Sequence, residues 1–323
     1  MPKYPTIIDR SDGTVIGANL QRINEMPFQL MTNQPRNLVQ IPSGQAVQQI
    51  PMSVSGQGPA VIHEFACERE LSTGTPLVPG YANATDIATV LLQIQDGQSI
   101  RALMNGAAHI DTIFGNYLAG NKPYPLAEAL YVDEQRKILF SATDLSNPGG
   151  VVTNNIRPMF NCQRLLTRIF DADASRAKAK MERRQYLTMP FFYVLDNSFS
   201  VLPAWPGGGA PFPFNTETIT IGGDSHFEMF QLSAVATAGL GSFDISIVEQ
   251  STGESVIDAP QATNLPMSSG LVCGSASFPV RLHEPRFFEI GSKLIVTLVN
   301  RSLAPNTVYL TLGGRALADR MWS

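Results

Sequence analysis

Residues 293–299 (KLIVTLV) and 307–312 (TVYLTL) repeat their side-chain pattern every two residues, as β-strands do. In the first segment one face carries Leu294, Val296 and Leu298, and the opposite face is also mainly apolar. A strand with apolar residues on both faces is covered on both sides. The two segments therefore predict strands buried inside a layered β structure.

The same pattern occurs a second time, 156 positions earlier. Lys137-Ile-Leu139 corresponds to Lys293-Leu-Ile295, and Asp144-Leu-Ser146 corresponds to Asn300-Arg-Ser302. Further matches are Leu126-Ala-Glu128 with Leu282-His-Glu284, Gly97–Ile100 with Gly253–Val256 and, at an offset of 163, Met26-Pro-Phe28 with Met189-Pro-Phe191 and His63 with His226. Solenoid repeats are only about 20–50 residues long, so a duplication of about 150 residues predicts two copies of one domain.

The second copy contains more short segments of strand pattern, separated by turn residues. They are 218–221, 226–232, 243–248 and 287–288. Short strands spaced in this way are typical of antiparallel β-sandwiches. We therefore predict a mainly β protein made of two tandem, duplicated antiparallel β-sandwiches of jelly-roll-like type, joined by a helical linker.

The repeat divides the chain into four parts. Residues 1–24 form an arm, which either packs on a neighbouring subunit or is the first hairpin of its own domain. Residues 25–163 and 189–323 are the two sandwich domains. Residues 164–188 are rich in strong helix formers and predict a linker helix that ends before Pro190.

The first copy is less regular than the second. Residues 99–106 and 125–134 contain enough helix formers to predict short helices. Residues 106–121 have the appearance of an insertion specific to the first domain.

Composition excludes some classes of partner. Only 15% of residues are charged, and 27 acidic residues outnumber 23 basic ones, which does not favour nucleic-acid binding. Seven basic residues lie in the linker, where a solvated helix explains them better than an acidic-partner site: Arg164, Arg168, Arg176, Lys178, Lys180, Arg183 and Arg184. Because a low content of charged residues leaves little electrostatic repulsion between copies, we expect a homo-oligomer.

No residue pattern predicts a catalytic, cofactor-binding or metal site. The cysteines are Cys67, Cys162 and Cys273, and the histidines are His63, His109, His226 and His283. None has the spacing of a zinc or protease motif, so we interpret the cysteines as buried apolar residues and the histidines as structural. Asp171 and Asp173 would point to different faces of a helix, and Glu128 and Glu284 would brace a turn in each domain.

Residues 200–214 (SVLPAWPGGGAPFPF) contain prolines that exclude regular structure. Trp205, Phe212 and Phe214 make this segment either a partner-contacting loop or a packed connector. Its three glycines lack the following Gly-Lys-Ser/Thr of a phosphate loop.

Residues 6–19 (TIIDRSDGTVIGAN), 189–192 (MPFF) and 283–317 resemble structural proteins from the virion gene modules of tailed bacteriophages. The resemblance covers most of the chain, but it concerns the overall character of the sequence and transfers no functional residues. It implies a virion component made in the bacterial host cytoplasm, such as a capsid decoration, vertex or neck protein. No secretory signal and no apolar run of about 18 residues is present, so we expect no membrane partner.

Three hypotheses follow. The first is a non-enzymatic virion protein that assembles with itself and with other virion proteins, either on a tailed phage or as the jelly-roll major capsid protein of a tailless virus. The second is a tail or fibre protein that binds a receptor or glycan through aromatic residues such as Trp205 and Trp322. The third is a glycan-degrading enzyme, for which no converging carboxylates are evident.

Overall fold

The computed structural model describes residues 24–31, 39–42, 46–53, 60–71, 76–77, 90–96, 102–115, 121–132, 137–145, 153–166, 188–257 and 266–318. The predicted arm, apart from Asn24, lies outside the described residues. The same holds for residues 167–187 of the predicted linker helix and for Trp322.

The first copy is built almost entirely of strands. They are β1 (Asn24–Met31), β2 (Val39–Pro42), β3 (Ala46–Ser53), β4 (Ala60–Leu71), β5 (Pro76–Leu77), β6 (Val90–Asp96), β7 (Ala108–His109), β8 (Tyr124–Val132), β9 (Lys137–Asp144) and β10 (Thr153–Leu166). A single-turn helix, α1 (Ile110–Ile113), follows β7.

The second copy repeats these elements. They are β11 (Thr188–Val194), β12 (Ser200–Leu202), β13 (Phe214–Thr220), β14 (Ser225–Ala236), β15 (Phe243–Glu249), β16 (Met267–Ser268), β17 (Val280–Phe288), β18 (Lys293–Asn300) and β19 (Asn306–Ala318). A single-turn helix, α2 (Ser269–Val272), follows β16.

The two copies have the same sheet topology. In the first, one sheet has the order β1-β10-β4-β5, with β2 also paired to β10 and β8 to β4, and the other has the order β3-β9-β6-β7. In the second, the sheets are β11-β19-β14-β17, with β12 paired to β19, and β13-β18-β15-β16. In each copy the first strand is interrupted, so β1 with β2 and β11 with β12 each count as one strand. On that count, and without the short β5, each copy has eight strands in two sheets. This is the jelly-roll arrangement, so the predicted fold class is confirmed.

Shared irregularities support the duplication. The β4–β10 register skips His63, and the β14–β19 register skips Phe230, at the same place in each sheet. Gly115 bridges β4 and Gly274 bridges β14, each two residues after the end of the single-turn helix. A Cβ on either glycine would overlap a backbone carbonyl, of Lys122 or Phe278 respectively. Only glycine fits at such a close approach of two backbones.

The strand register corrects one sequence equivalence. Because the bulge aligns His63 with Phe230, the offset within this strand is 167, and His63 does not correspond to His226. The Met26 to Met189 match at 163 is confirmed, since both residues occupy the same position beside the last strand of their copy.

Three helical predictions differ from the structure. Residues 125–132 lie in β8, where pairing with β4 outweighs helix propensity. Residues 102–106 contain isolated bridges and bends instead of a helix. Arg164 to Leu166, the first residues of the predicted linker helix, belong to β10.

The proposed insertion at 106–121 is also wrong in part. It contains β7 and α1, which are the counterparts of β16 and α2, so this part of the segment belongs to the repeated unit. The short length of these elements hid the match in the sequence.

The two hydrophobic cores meet at β11. Phe192 and Val194 of this strand pack in the core of the first domain, although they belong to the second copy. Tyr193 and Leu195, which alternate with them, pack in the core of the second domain. One strand therefore contributes to both cores, because its successive side chains point to opposite sides.

Candidate assembly surface

Within the residues that the structure describes, no group of three or more His, Cys, Asp or Glu could hold a metal ion. Cys67, Cys162 and Cys273 are free thiols and are buried, as predicted. Burial raises the pKa of the Cys273 thiol to about 12, so this side chain stays protonated at neutral pH.

The histidines occupy four different environments. His109 is buried at the start of α1, where its Nδ1 accepts a hydrogen bond from the Asp111 amide. His226 stacks on Phe287, with ring centroids 5.2 Å apart. His63 is exposed at the bulge of β4, and His283 is exposed on β17.

Two of the three aromatic residues in the 200–214 segment, Trp205 and Phe212, pack on each other. The rings of Trp205 and Phe212 are 4.5 Å apart, and Trp205 Nε1 donates a hydrogen bond to the Ala210 carbonyl. The Arg301 guanidinium lies 4.0 Å over the Phe212 ring. Only Phe214 is strongly exposed. The packed-connector interpretation fits Trp205 and Phe212, since their rings pack on each other and Phe212 also contacts Arg301.

A buried polar junction joins the two domains at α1. Thr112 lies at its centre and is fully buried. Its hydroxyl donates to the His109 carbonyl (2.7 Å) and accepts from the Thr311 hydroxyl (2.7 Å). Its carbonyl accepts from the Ser233 hydroxyl (2.6 Å), and the Asp111 carbonyl accepts from a second-domain backbone amide. Such satisfied networks fix one relative position of the two domains.

The junction continues along β8 and β11. Asn105 bonds both the amide and the carbonyl of Val194 through its side chain, as a neighbouring strand would. Gln231 Nε2 donates to the Pro125 carbonyl at 3.0 Å. The ring of His109 packs 4.5 Å from that of Tyr309.

An ion-pair network also connects the two domains at the junction. Arg315 bonds Glu228 (2.5 Å) within its own domain and Glu128 (3.0 Å) across the junction. Burial by itself would lower the pKa of Arg315, but the hydrogen bonds and charges of Glu228 and Glu128 outweigh it and raise the pKa. Glu128 therefore lies in a strand and links the domains instead of bracing a turn, and its counterpart Glu284 lies exposed on β17.

Repeat-equivalent surfaces differ sharply in exposure. In α1 all four residues are buried, because β14 and β19 of the second domain cover them. In α2 only Ser269 is buried, and Leu271, the counterpart of Thr112, is 76% exposed. Likewise β8 is half-buried or buried throughout, whereas most of β17 is exposed. The second domain thus leaves open the edge that the first domain uses for its contact.

This edge was not predicted from the sequence. The repeat alignment placed Glu128 and Glu284 at equivalent positions, which is correct, but it assigned them equal roles. The available signal was the composition of the paired strands, PLAEALYV at 125–132 against RLHEPRFF at 281–288, in which the second is much more charged.

None of the described helices is long and apolar enough to cross a membrane.

No protein-family model and no curated protein matches the chain. Among solved structures, one of Sulfolobus Turreted Icosahedral Virus is similar with a TM-score of 0.41 and 10% identity over 91% of both chains. A peptide-N(4)-(N-acetyl-β-D-glucosaminyl)asparagine amidase has a TM-score of 0.36 and 6% identity, over 91% of this chain and 97% of that one. A Paenibacillus xanthan lyase has a TM-score of 0.21 and 10% identity, over 91% of this chain and 25% of the other. Likeness at this level carries no argument about function, and the strand order of the chain itself establishes the fold.

Proposed function

We propose that this protein is a non-enzymatic structural component of a virus particle, a tandem jelly-roll coat protein that forms a shell by self-association. The observation that carries the proposal is the duplicated jelly roll joined by a buried polar junction. This architecture places two copies of one building block side by side in a fixed orientation, and jelly rolls are a recurrent fold of capsid subunits.

The distribution of polar residues supports a structural role. The buried polar side chains at the junction bond to each other and to backbone groups, so they stabilise a contact instead of facing a cleft. Fold alone does not determine function, and jelly rolls also occur in lectins. The glycan-binding alternative loses support from Trp205 and Phe212, whose rings pack on each other.

The shell-forming reading fits the molecule better than a decoration, vertex or neck position on a tailed phage. A shell subunit needs surfaces that match other copies, and the open edge at α2 and β17 is an exposed surface of the second domain that can make such a contact. Under this proposal the protein is located in the virion, and its partners are other copies of itself and further virion proteins.

Labelling of purified particles tests the proposal. Antibodies against the chain, imaged by electron microscopy, should decorate the whole shell of intact or gently opened particles. Label confined to a neck or tail would support the tailed-phage alternative instead. Protein found in infected cells but never on particles would refute a virion role.

A further inference from the structure

We infer that the contact between the two domains of one chain is repeated between copies, so that the second domain of one copy packs on the first domain of the next. This inference rests on the proposed self-assembling function and names the contact that produces it. The donor edge comprises α2, β16 and β17. The acceptor face is formed by β1, β4 and β10, which correspond to β11, β14 and β19 inside the junction, and its described side chains include Met31, Glu64 and Met159.

The centre of the junction has an apolar counterpart. Within the chain, the hydroxyls of Thr112 and Thr311 are in contact at 2.7 Å. The counterpart of Thr112 on the donor edge is Leu271, and the counterpart of Thr311 on the acceptor face is Met159, which is half-buried. A polar pair inside the chain is thus replaced by a matched apolar pair between copies.

The acceptor face also exposes an apolar neighbour of Met159. Met31 pairs with Met159 across strands β1 and β10, as Val194 pairs with Thr311. Val194 is 1% exposed because the first domain covers it, whereas Met31 is 42% exposed. An apolar side chain left open at a position that is buried in the sister domain indicates a missing cover.

The charged flank is complementary as well. Within the chain, Gln231 bonds the carbonyl of Pro125. The counterpart of Gln231 on the acceptor face is Glu64, and the counterpart of Pro125 on the donor edge is Arg281, which is exposed. Repetition of the contact therefore places two residues of opposite charge, Glu64 and Arg281, next to each other, and opposite charges favour association between copies.

The occupant of the donor edge is accordingly a second copy of this chain. The contact is heterologous, since the donor edge and the acceptor face are different surfaces. A heterologous contact forms a ring when its rotation closes and a filament when it does not.

A mixing experiment tests the inference. Leu271→Glu disables the donor edge, and Met159→Glu disables the acceptor face. Each variant alone should associate at least about 30-fold more weakly than the wild-type protein, the effect expected at an interface hot spot. A mixture should form a dimer and nothing larger, because only one functional contact remains. Sedimentation velocity measures these species.

Phe214→Glu is the control. Phe214 is 67% exposed, and it lies on β13, the edge strand opposite β16 in their shared sheet, so its substitution should leave assembly unchanged. Melting temperatures within a few degrees of wild type establish that each variant is folded. As a second route, Arg281→Glu and Glu64→Arg should each weaken association, and a chain carrying both changes should regain it.

Wild-type chains that remain monomeric, or variants at Leu271 and Met159 that assemble normally, would overturn the inference. The outcome is separable from the proposed function. Copies that associate through this contact but are missing from virus particles would refute the virion role alone. If the protein is present in virus particles but variants at Leu271 and Met159 assemble normally, only the proposed contact is refuted.

Discussion

Truncation of Phe192 tests whether the two jelly rolls form one cooperative body. Phe192 belongs to β11 of the second copy, but its side chain is buried in the first domain. Its ring centroid lies 6.2 Å from that of Phe65 and 5.8 Å from that of Tyr124. Phe192→Ala therefore removes a second-copy side chain from the first-domain core.

The expected loss is that of a fully buried aromatic residue. Truncation of a buried Phe to Ala costs about 3–5 kcal/mol, because contacts are lost and a cavity remains. At roughly 2 °C per kcal/mol for a large domain, the melting temperature should fall by about 6–10 °C. Phe214→Ala is the control, since Phe214 is 67% exposed and its truncation should cost less than about 0.5 kcal/mol.

Amide hydrogen exchange measures which strands lose protection when Phe192 is truncated. We expect Phe192→Ala to reduce protection in β4 and β10 of the first domain as well as in β11 and β19 of the second. Two separate unfolding transitions, of which the substitution shifts only the one that belongs to the second domain, would contradict this prediction.

Three further predictions concern single features. Gly274→Ala should destabilise the protein by at least about 3 kcal/mol in urea unfolding, because its Cβ would overlap the Phe278 carbonyl. Gly223→Ala, with open space around it, should be nearly neutral, and equal stability of the two variants would contradict the close approach at Gly274. Arg315→Leu should cost about 2–3 kcal/mol, since two partly buried glutamates lose their shared cation, and a cost below about 0.5 kcal/mol would show that the network contributes little to the junction. The three buried thiols should resist alkylation at pH 8 in the native protein and react fully in denaturant, as counted by mass spectrometry; rapid labelling of native protein would contradict their burial.

Strand periodicity and the long repeat were sufficient to predict the fold class, because alternation of apolar residues depends only on local sequence. The helix predicted at 125–134 failed for the opposite reason. Leu126, Ala127 and Glu128 favour a helix in isolation, but pairing with β4 and cover from the second domain place them in a strand.

The exposed edge at α2 and β17 could not be predicted from the sequence. Thr112 and Leu271 occupy equivalent positions, and a Thr gives no local sign of being more buried than a Leu. Their exposure differs because one lies between two domains and the other lies at the free edge of the chain. The four-residue difference at His63 between the aligned offset of 163 and the strand offset of 167 was also hidden, since the shared bulge that reveals it depends on pairing with a distant strand.

Disulfide trapping between copies tests the central claim most directly. The Thr112 and Thr311 hydroxyls touch, so cysteines at the equivalent positions of two copies should approach the roughly 3.5–4.5 Å between Cβ atoms that a disulfide requires. A Leu271→Cys, Met159→Cys chain, with its native thiols buried, should form reducible covalent oligomers under mild oxidation, while each single variant should not. A double variant that stays monomeric on a non-reducing gel, under conditions where the wild-type protein associates, would contradict the account.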